Sequence, residues 1–262
     1  MSKNNHSSIP AALRISQNFL TSSVIINRII NLSNINKNDY VIEIGAGKGH
    51  ITSKLLDRCG KLTAVEIDSR LHNNLKIKFE SQINLDLICG DFLKYNLPKT
   101  PYKVFANIPF NQTTDIVRKL TSGKNPPQET WLVVEKGAAK RFIGKPQESL
   151  SSLLIKPFFH TEINYYFKKT DFHPSPSVDT VLLHFVKKPT PDVKYADLHL
   201  YNRFISNCLG SPGAVFTLLT KRQISTALKI ENLSGDITSK NMLYVQWLCL
   251  FRCWLKYGKL GK

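Results

Sequence analysis

Up to about residue 188, short apolar runs alternate with segments whose apolar residues recur at helical spacing. The runs at residues 40–44, 62–67, 85–89, 103–106 and 130–135 are rich in Val, Ile, Leu and Phe and are bounded by polar or turn-forming residues, so each reads as a buried strand. Between them, residues 23–32 carry Val24, Ile25, Ile29 and Leu32 on one helical face. Further helices are predicted from the glycine-rich stretch through Arg58, at 69–79 and at 113–120, with a loop at 34–39. This alternation predicts a mostly parallel sheet covered on both faces, an α/β architecture of Rossmann-like type. Residues 163–167 and 180–186 read as two more strands, separated by Phe172-His173-Pro174-Ser175-Pro176, a connection suited to an antiparallel edge.

Beyond Lys187-Lys188-Pro189-Thr190-Pro191 the strand-like runs stop. Helical periodicity takes over at 198–209, 215–228 and 241–257, which predicts a small all-α second domain at 189–262 after a sheet domain at 1–188. Residues 1–15 read as a mobile polar and basic arm. Lys and Arg number 36 against 19 acidic residues, a net charge of +17, far beyond what solubility requires and suited to a polyanion such as nucleic acid. Ten basic and four acidic residues fall between Thr190 and Lys262, so the helical part shares this character and is expected to support RNA binding. Five cysteines without a CxxC spacing read as free thiols in a reducing compartment. The polar first residues and the lack of a run of ~20 apolar residues exclude a secretory signal and a spanning helix, so a cytoplasmic protein is expected. Cys249 and Cys253 have no histidine-rich neighbour, and no metal site is expected.

Three strand ends carry candidate chemistry. Gly45-Ala46-Gly47-Lys48-Gly49 follows the first strand and lets backbone approach a ligand, although a bare strand-to-helix turn would look the same. Glu66 ends the next strand about twenty residues on, where a carboxylate grips ribose hydroxyls. Asp91, in Gly90-Asp91-Phe92, suits an adenine amino group with Phe92 flanking the ring, or else a simple turn cap. Together they outline an adenosine pocket.

The choice of ligand rests on Asn107-Ile108-Pro109-Phe110. A nicotinamide needs no such element, whereas methyl transfer from a sulfonium to an aromatic amine does. The Asn107 oxygen and a neighbouring backbone carbonyl would accept both N–H bonds of the amine and free its lone pair. Phe110 would stack on a flipped-out base, with Phe172 closing the other face. Among the cations, Arg118, Lys140 and Arg141 lie nearest the expected cleft and could grip phosphates. His50 and His173 read as structural, no Ser/His/Asp or Cys/His arrangement is present, and residues 16–20 read by themselves as a helix cap with an apolar staple.

Six blocks in order resemble the ribosomal RNA adenine N6-methyltransferases: Ser16-Gln17-Asn18-Phe19-Leu20, Glu43-Ile44-Gly45-Ala46-Gly47-Lys48-Gly49, Val65-Glu66-Ile67-Asp68, Gly90-Asp91-Phe92, Asn107-Ile108-Pro109-Phe110 and residues 172–179. The resemblance implies S-adenosylmethionine as methyl donor. It places Gln17, Asn18 and Leu20 in the donor pocket, against the capping reading, and Ile67 beside the adenine. It gives Gly45, Gly47, Glu66, Asp91, Phe92 and Asn107 to donor binding, and Asn107, Ile108, Phe110 and Phe172 to catalysis. Residues 107–119, Thr220-Lys221-Arg222-Gln223 and Gln246-Trp247-Leu248-Cys249-Leu250-Phe251 are most similar to the erythromycin-resistance (Erm) branch. That branch implies methylation, once or twice, of an adenine in 23S ribosomal RNA, protein-free or in early assembly, by a monomer, with resistance to macrolides, lincosamides and streptogramin B. Two other expectations stay open: a small-subunit (16S) rRNA dimethyltransferase, and an RNA-binding or assembly factor of this fold without catalysis. Phe110 departs from the family's usual tyrosine, which keeps stacking and loses a phenolic hydrogen bond; Gln112-Thr113 stands where Ile-Ser is usual.

Overall fold

The structure is a computed structural model that describes residues 18–210, 212–237 and 242–258; the expected arm at 1–15 lies outside them. Two compact units form, one from residues 1–139 and 162–187, the other from 140–161 and 188–262.

The first unit is built on strands β2 (Tyr40–Ile44), β3 (Lys61–Glu66), β4 (Leu85–Cys89), β5 (Lys103–Asn107), β6 (Glu129–Glu135) and β9 (Thr180–Lys187). With β7 (Phe159–Tyr166) they give a seven-stranded sheet ordered β4-β3-β2-β5-β6-β9-β7. The first five strands in that order are parallel, and β9 runs antiparallel to β6. The one antiparallel strand, expected at the edge, is β9, and it lies one place in, with β7 outside it. Val41, Ile42, Leu62, Ala64, Phe105 and Trp131 are all fully buried, as strands covered on both faces require.

Register fixes what the strand ends present. Ile44 pairs with Val65 and with Ala106, and Val65 pairs with Ile88. One residue further on, Gly45, Glu66, Cys89 and Asn107 stand at the same level. Chain order reverses between β2 and β5, so this level faces the crevice where open α/β sheets hold ligands. Helices α1 (Ser23–Asn31), α2 (His50–Leu56), α3 (Ser69–Lys78) and α4 (Thr113–Thr121) supply the crossovers and flanks. A two-residue pair completes the unit: β1 (Phe19–Leu20) runs antiparallel to β8 (Phe172–His173), with Leu20 opposite Phe172.

The second unit contains α6 (Leu150–Ile155), α7 (Leu198–Leu209), α8 (Val215–Leu218), α9 (Lys221–Ile230) and α10 (Tyr244–Tyr257); α5 (Lys136–Ile143) runs across the division. Periodicity predicts one helix at 215–228. The chain breaks it because the Thr220 side chain accepts from the Gln223 N–H while the Gln223 side chain returns to the Thr220 N–H, a capping box that starts α9 afresh. Residues 140–161, which show no clear period, join this unit through packing: Leu153 sits in one apolar cluster with Tyr201, Phe204, Phe251 and Trp254.

Tyr201 is fully buried and its hydroxyl donates to the Leu153 carbonyl at 2.8 Å. Tyr201→Phe leaves that carbonyl without a donor, at a cost of about 1–3 kcal/mol. Thermal denaturation should show a melting point several degrees lower, with no change in the spectroscopic signature of the folded sheet.

Candidate active site

The glycine-rich turn after β2 is left-handed at three places, with φ of +70° at Gly45, +57° at Gly47 and +76° at Gly49. A Cβ added at Gly47 would stand 2.8 Å from the Phe19 ring, so the absence of a side chain here lets β1 lie against the turn. The Gly47 N–H donates to Glu66 Oε2 at 2.8 Å and the Asp68 N–H to Glu66 Oε1 at 2.9 Å. Burial raises the Glu66 pKa, and these two backbone donors oppose the shift. Phe19, named only as part of a block, proves to cover the turn, with the Lys48 ammonium 5.1 Å above its ring; only contact geometry could have singled it out.

A second carboxyl lies in the same cleft. Glu43 is 1 % exposed, and its Oε2 makes no hydrogen bond. Burial foremost, with the nearby Glu66 charge, pushes its pKa up to about 8, against a lowering influence from Thr52. A buried oxygen of this kind is an acceptor awaiting a donor or a cation. At the third strand end, Asp91 Oδ1 accepts from the Leu93 N–H at 2.8 Å, capping a short 3-10 turn that begins at Phe92. Phe92 is buried and forms part of the cleft wall.

Asn107 ends β5, and its Nδ2 donates to the Asn18 carbonyl at 2.8 Å. The amide orientation follows: Nδ2 is committed to β1's flank, and Oδ1 is left as an acceptor. Next to it, the Pro109 carbonyl accepts from the Gln112 N–H and the Phe110 carbonyl from Thr113 Oγ1, at 3.0 and 2.9 Å. Ile108 is 2 % exposed, and among the described residues no turn, loop or side-chain donor reaches its carbonyl. Pro109 is extended at φ −60°, ψ 126°, and the half-buried Phe110 lines the cleft beside Asn107 and Ile108.

Leu20 and Ile67 line the same cleft, as do Asn18, Gly45 and Gly47. Gln17 lies outside the described residues. Phe172 does not line it: the ring is 4 % exposed and meets Phe167 edge-on at 5.3 Å, inside the apolar cluster that also takes Leu20. Arg118 is exposed and paired with Asp115 at 2.7 Å. Its neighbour Lys119 turns inward, donating to the Leu93 and Tyr95 carbonyls at 2.8 and 2.6 Å, with its ammonium 5.4 Å above the Phe92 ring. That lysine braces the Asp91–Phe92 wall against the helix that follows Asn107. Lys140 and Arg141 belong to the second unit. Among the described residues no group of three or more His, Cys, Asp or Glu could hold a metal ion, and no helix is long and apolar enough to cross a membrane.

Comparison with known proteins identifies the family. Residues 11–253 match the family described as ribosomal RNA adenine dimethylase. An rRNA adenine N-6-methyltransferase of Lysinibacillus sphaericus is 34 % identical over 242 residues, covering 91 % of this chain and 95 % of the relative. One of Limosilactobacillus reuteri is also 34 % identical, over 250 residues, with 94 % and 98 % covered. In three dimensions the chain is similar to the 23S rRNA methyltransferase ErmE, with a TM-score of 0.82 and 25 % identity over 90 % of this chain and 99 % of that one. A dimethyladenosine transferase from Plasmodium falciparum shares the fold, with a TM-score of 0.71 at 22 % identity over 88 % of this chain and 95 % of its own. The chain thus belongs to the ribosomal RNA adenine dimethylase family, as a methyltransferase of the S-adenosylmethionine-dependent kind.

Proposed function

We propose that this enzyme transfers methyl from S-adenosylmethionine to N6 of a specific adenine in 23S ribosomal RNA, in the manner of the Erm branch, with macrolide, lincosamide and streptogramin B resistance as the consequence. The observation that carries the chemistry is the Asn107 amide held by the Asn18 carbonyl. It leaves Asn107 Oδ1 as an acceptor, with the Ile108 carbonyl next along the chain as the second. An adenine amine conjugated to its ring is a weak nucleophile; two acceptors that take its N–H bonds localise the lone pair and aim it, without a strong base. Phe110 offers a face on which the extruded base can stack, worth about 1–3 kcal/mol. Phe172, packed beneath Leu20, anchors this segment. The 23S assignment draws on the likeness to ErmE, which spans nearly all of that protein, and on residues 107–119.

The cleft suits the donor. Glu66 and Asp91 stand at ribose and adenine positions of the Rossmann-like pattern, Gly45 and Gly47 leave backbone exposed to it, and Glu43 holds an unpaired oxygen for positive charge. Bound S-adenosylmethionine supplies a methyl group on an electrophilic sulfonium.

Nucleoside mass spectrometry and primer extension on RNA treated with enzyme and donor should find methylated adenine in 23S and not 16S transcripts. A stop only in 16S RNA would move the chain to the small-subunit enzymes, and no label transfer at all would make it a non-catalytic RNA-binding factor. Asn107→Ala should lower kcat by about 10²–10³-fold.

Glu43 predicts how donor binding depends on pH. Its folded pKa, near 8 against an ordinary 4.5, means that the free protein holds an extra proton between those values. The associated stability is present below about pH 4.5 and is lost as pH rises through about 8. A cation beside the carboxyl favours the carboxylate, so donor binding near pH 7 should release a proton and tighten as pH rises. Calorimetry in buffers of different ionisation heat should detect that proton, and Glu43→Gln should abolish both the release and the pH dependence.

A further inference from the structure

The second compact unit holds fifteen Lys and Arg against five Asp and Glu, a net of +10 on 97 residues, whereas the first holds a net of +7 on 165. The denser positive charge therefore belongs to the helical unit, while the residues that line the strand-end cleft belong to the other. Within this unit, α9 and α10 pack together and leave a groove between them. Its floor is Ala227, Cys249 and Cys253. Its walls carry Arg222 from α9 and Arg252 and Lys256 from α10, which share the face made by i, i+3 and i+7 steps from Cys249. The groove's acidic residue is Glu231. Two large apolar side chains stand open at its rim, Tyr257 at 58 % exposure and Ile230 at 72 %. The Lys256 ammonium lies 5.0 Å over the Tyr257 ring, and Arg222 forms no ion pair among the described residues.

Three cations to one acid, beside an exposed aromatic face, is the combination that binds single-stranded nucleic acid: cations follow the phosphates and an aromatic ring stacks a base. We infer that the α9–α10 groove is a second RNA-binding site, which takes a single-stranded or loop segment of the substrate RNA with phosphates on Arg222 and Lys256 and a base on Tyr257. The inference rests on the reading of the enzyme as an RNA methyltransferase and adds where a further part of that RNA is held. An acidic protein segment would meet the same charges but would have no use for the stacking face.

The test is fluorescence anisotropy of the full-length protein with a protein-free 23S-type hairpin transcript over a range of salt, next to donor binding and label transfer. Arg222→Ala with Lys256→Ala should weaken RNA affinity about tenfold and reduce the salt slope by between about one and two. Tyr257→Ala should weaken it about fivefold with the slope unchanged. Arg222→Lys with Lys256→Arg should stay within about twofold of the unaltered enzyme. A control of equal charge outside the groove, Lys194→Ala with Arg203→Ala, should also stay within about twofold, and donor affinity should be unchanged throughout. If the groove pair loses no more affinity than the control pair, or if Tyr257→Ala has no effect, the site is not an RNA groove. Target choice is separate: loss of binding in the groove variants with methyl transfer found only on 16S RNA would keep the groove and overturn the 23S reading.

Discussion

A primary amide has two ends of nearly the same shape and opposite hydrogen-bonding sense, and the proposed chemistry depends on which end of Asn107 faces the substrate. The Asn18 carbonyl decides it at 2.8 Å, because only Nδ2 can donate. The acceptor thereby left free is oriented before any substrate arrives, so little of the cost of orientation falls on the reacting state. The same short segment does two more things. Phe19 lies against Gly47, and Leu20 pairs through its backbone with Phe172. Three consecutive residues thus tie the glycine turn, the Asn107 amide and the β8 strand into one arrangement. A displaced β1 would release the Asn107 amide and uncover the glycine turn together.

The two carboxyls under the turn show the complementary economy. Glu66 is buried yet satisfied, since two backbone N–H groups hold it and it in turn holds the curve of Gly47. Glu43, a few residues from it in space and equally buried, has an oxygen with no partner. Leaving a buried acceptor unpaired costs about 1–3 kcal/mol, and a protein keeps such a cost where a ligand relieves it. One carboxyl shapes the turn and the other keeps an unpaired oxygen, which the proposed donor would meet with positive charge, a division that follows from their hydrogen bonds and not from their residue type.

Much of this could be read from the chain, and the failures have physical causes. The strand runs, the glycine turn and the Asn-Ile-Pro-Phe element are local patterns, and the register that brings Gly45, Glu66 and Asn107 to one level follows once parallel strands of similar length are aligned. The helix break at Thr220 was local too, but the apolar period of 215–228 ran through it and concealed the capping box. What sequence could not provide was partnership across long separations. Phe172 reads as a base clamp because it follows the right elements in order, and it is instead packed edge-on against Phe167. Residues 140–161 join the helical unit because Leu153 meets Tyr201, 48 positions away, a contact that no window of the chain contains.

The cations make the same point about function. A net charge of +17 calls for a polyanion without saying which lysines and arginines meet it. Those nearest the reactive tetrapeptide look best placed, but Arg118 is neutralised by Asp115 and Lys119 is drawn inward to two carbonyls and an aromatic face. Beside the Asn-Ile-Pro-Phe element, positive charge goes into ion pairing and into bracing the cleft wall. That is consistent with a reaction in which acceptors, not cations, activate the nucleophile: a strong positive field beside an amine that must surrender electron density would oppose the attack. Electrostatic capture of a long anionic substrate then suits the helical unit, whose charge is dense and where Arg222 has no acidic partner among the described residues.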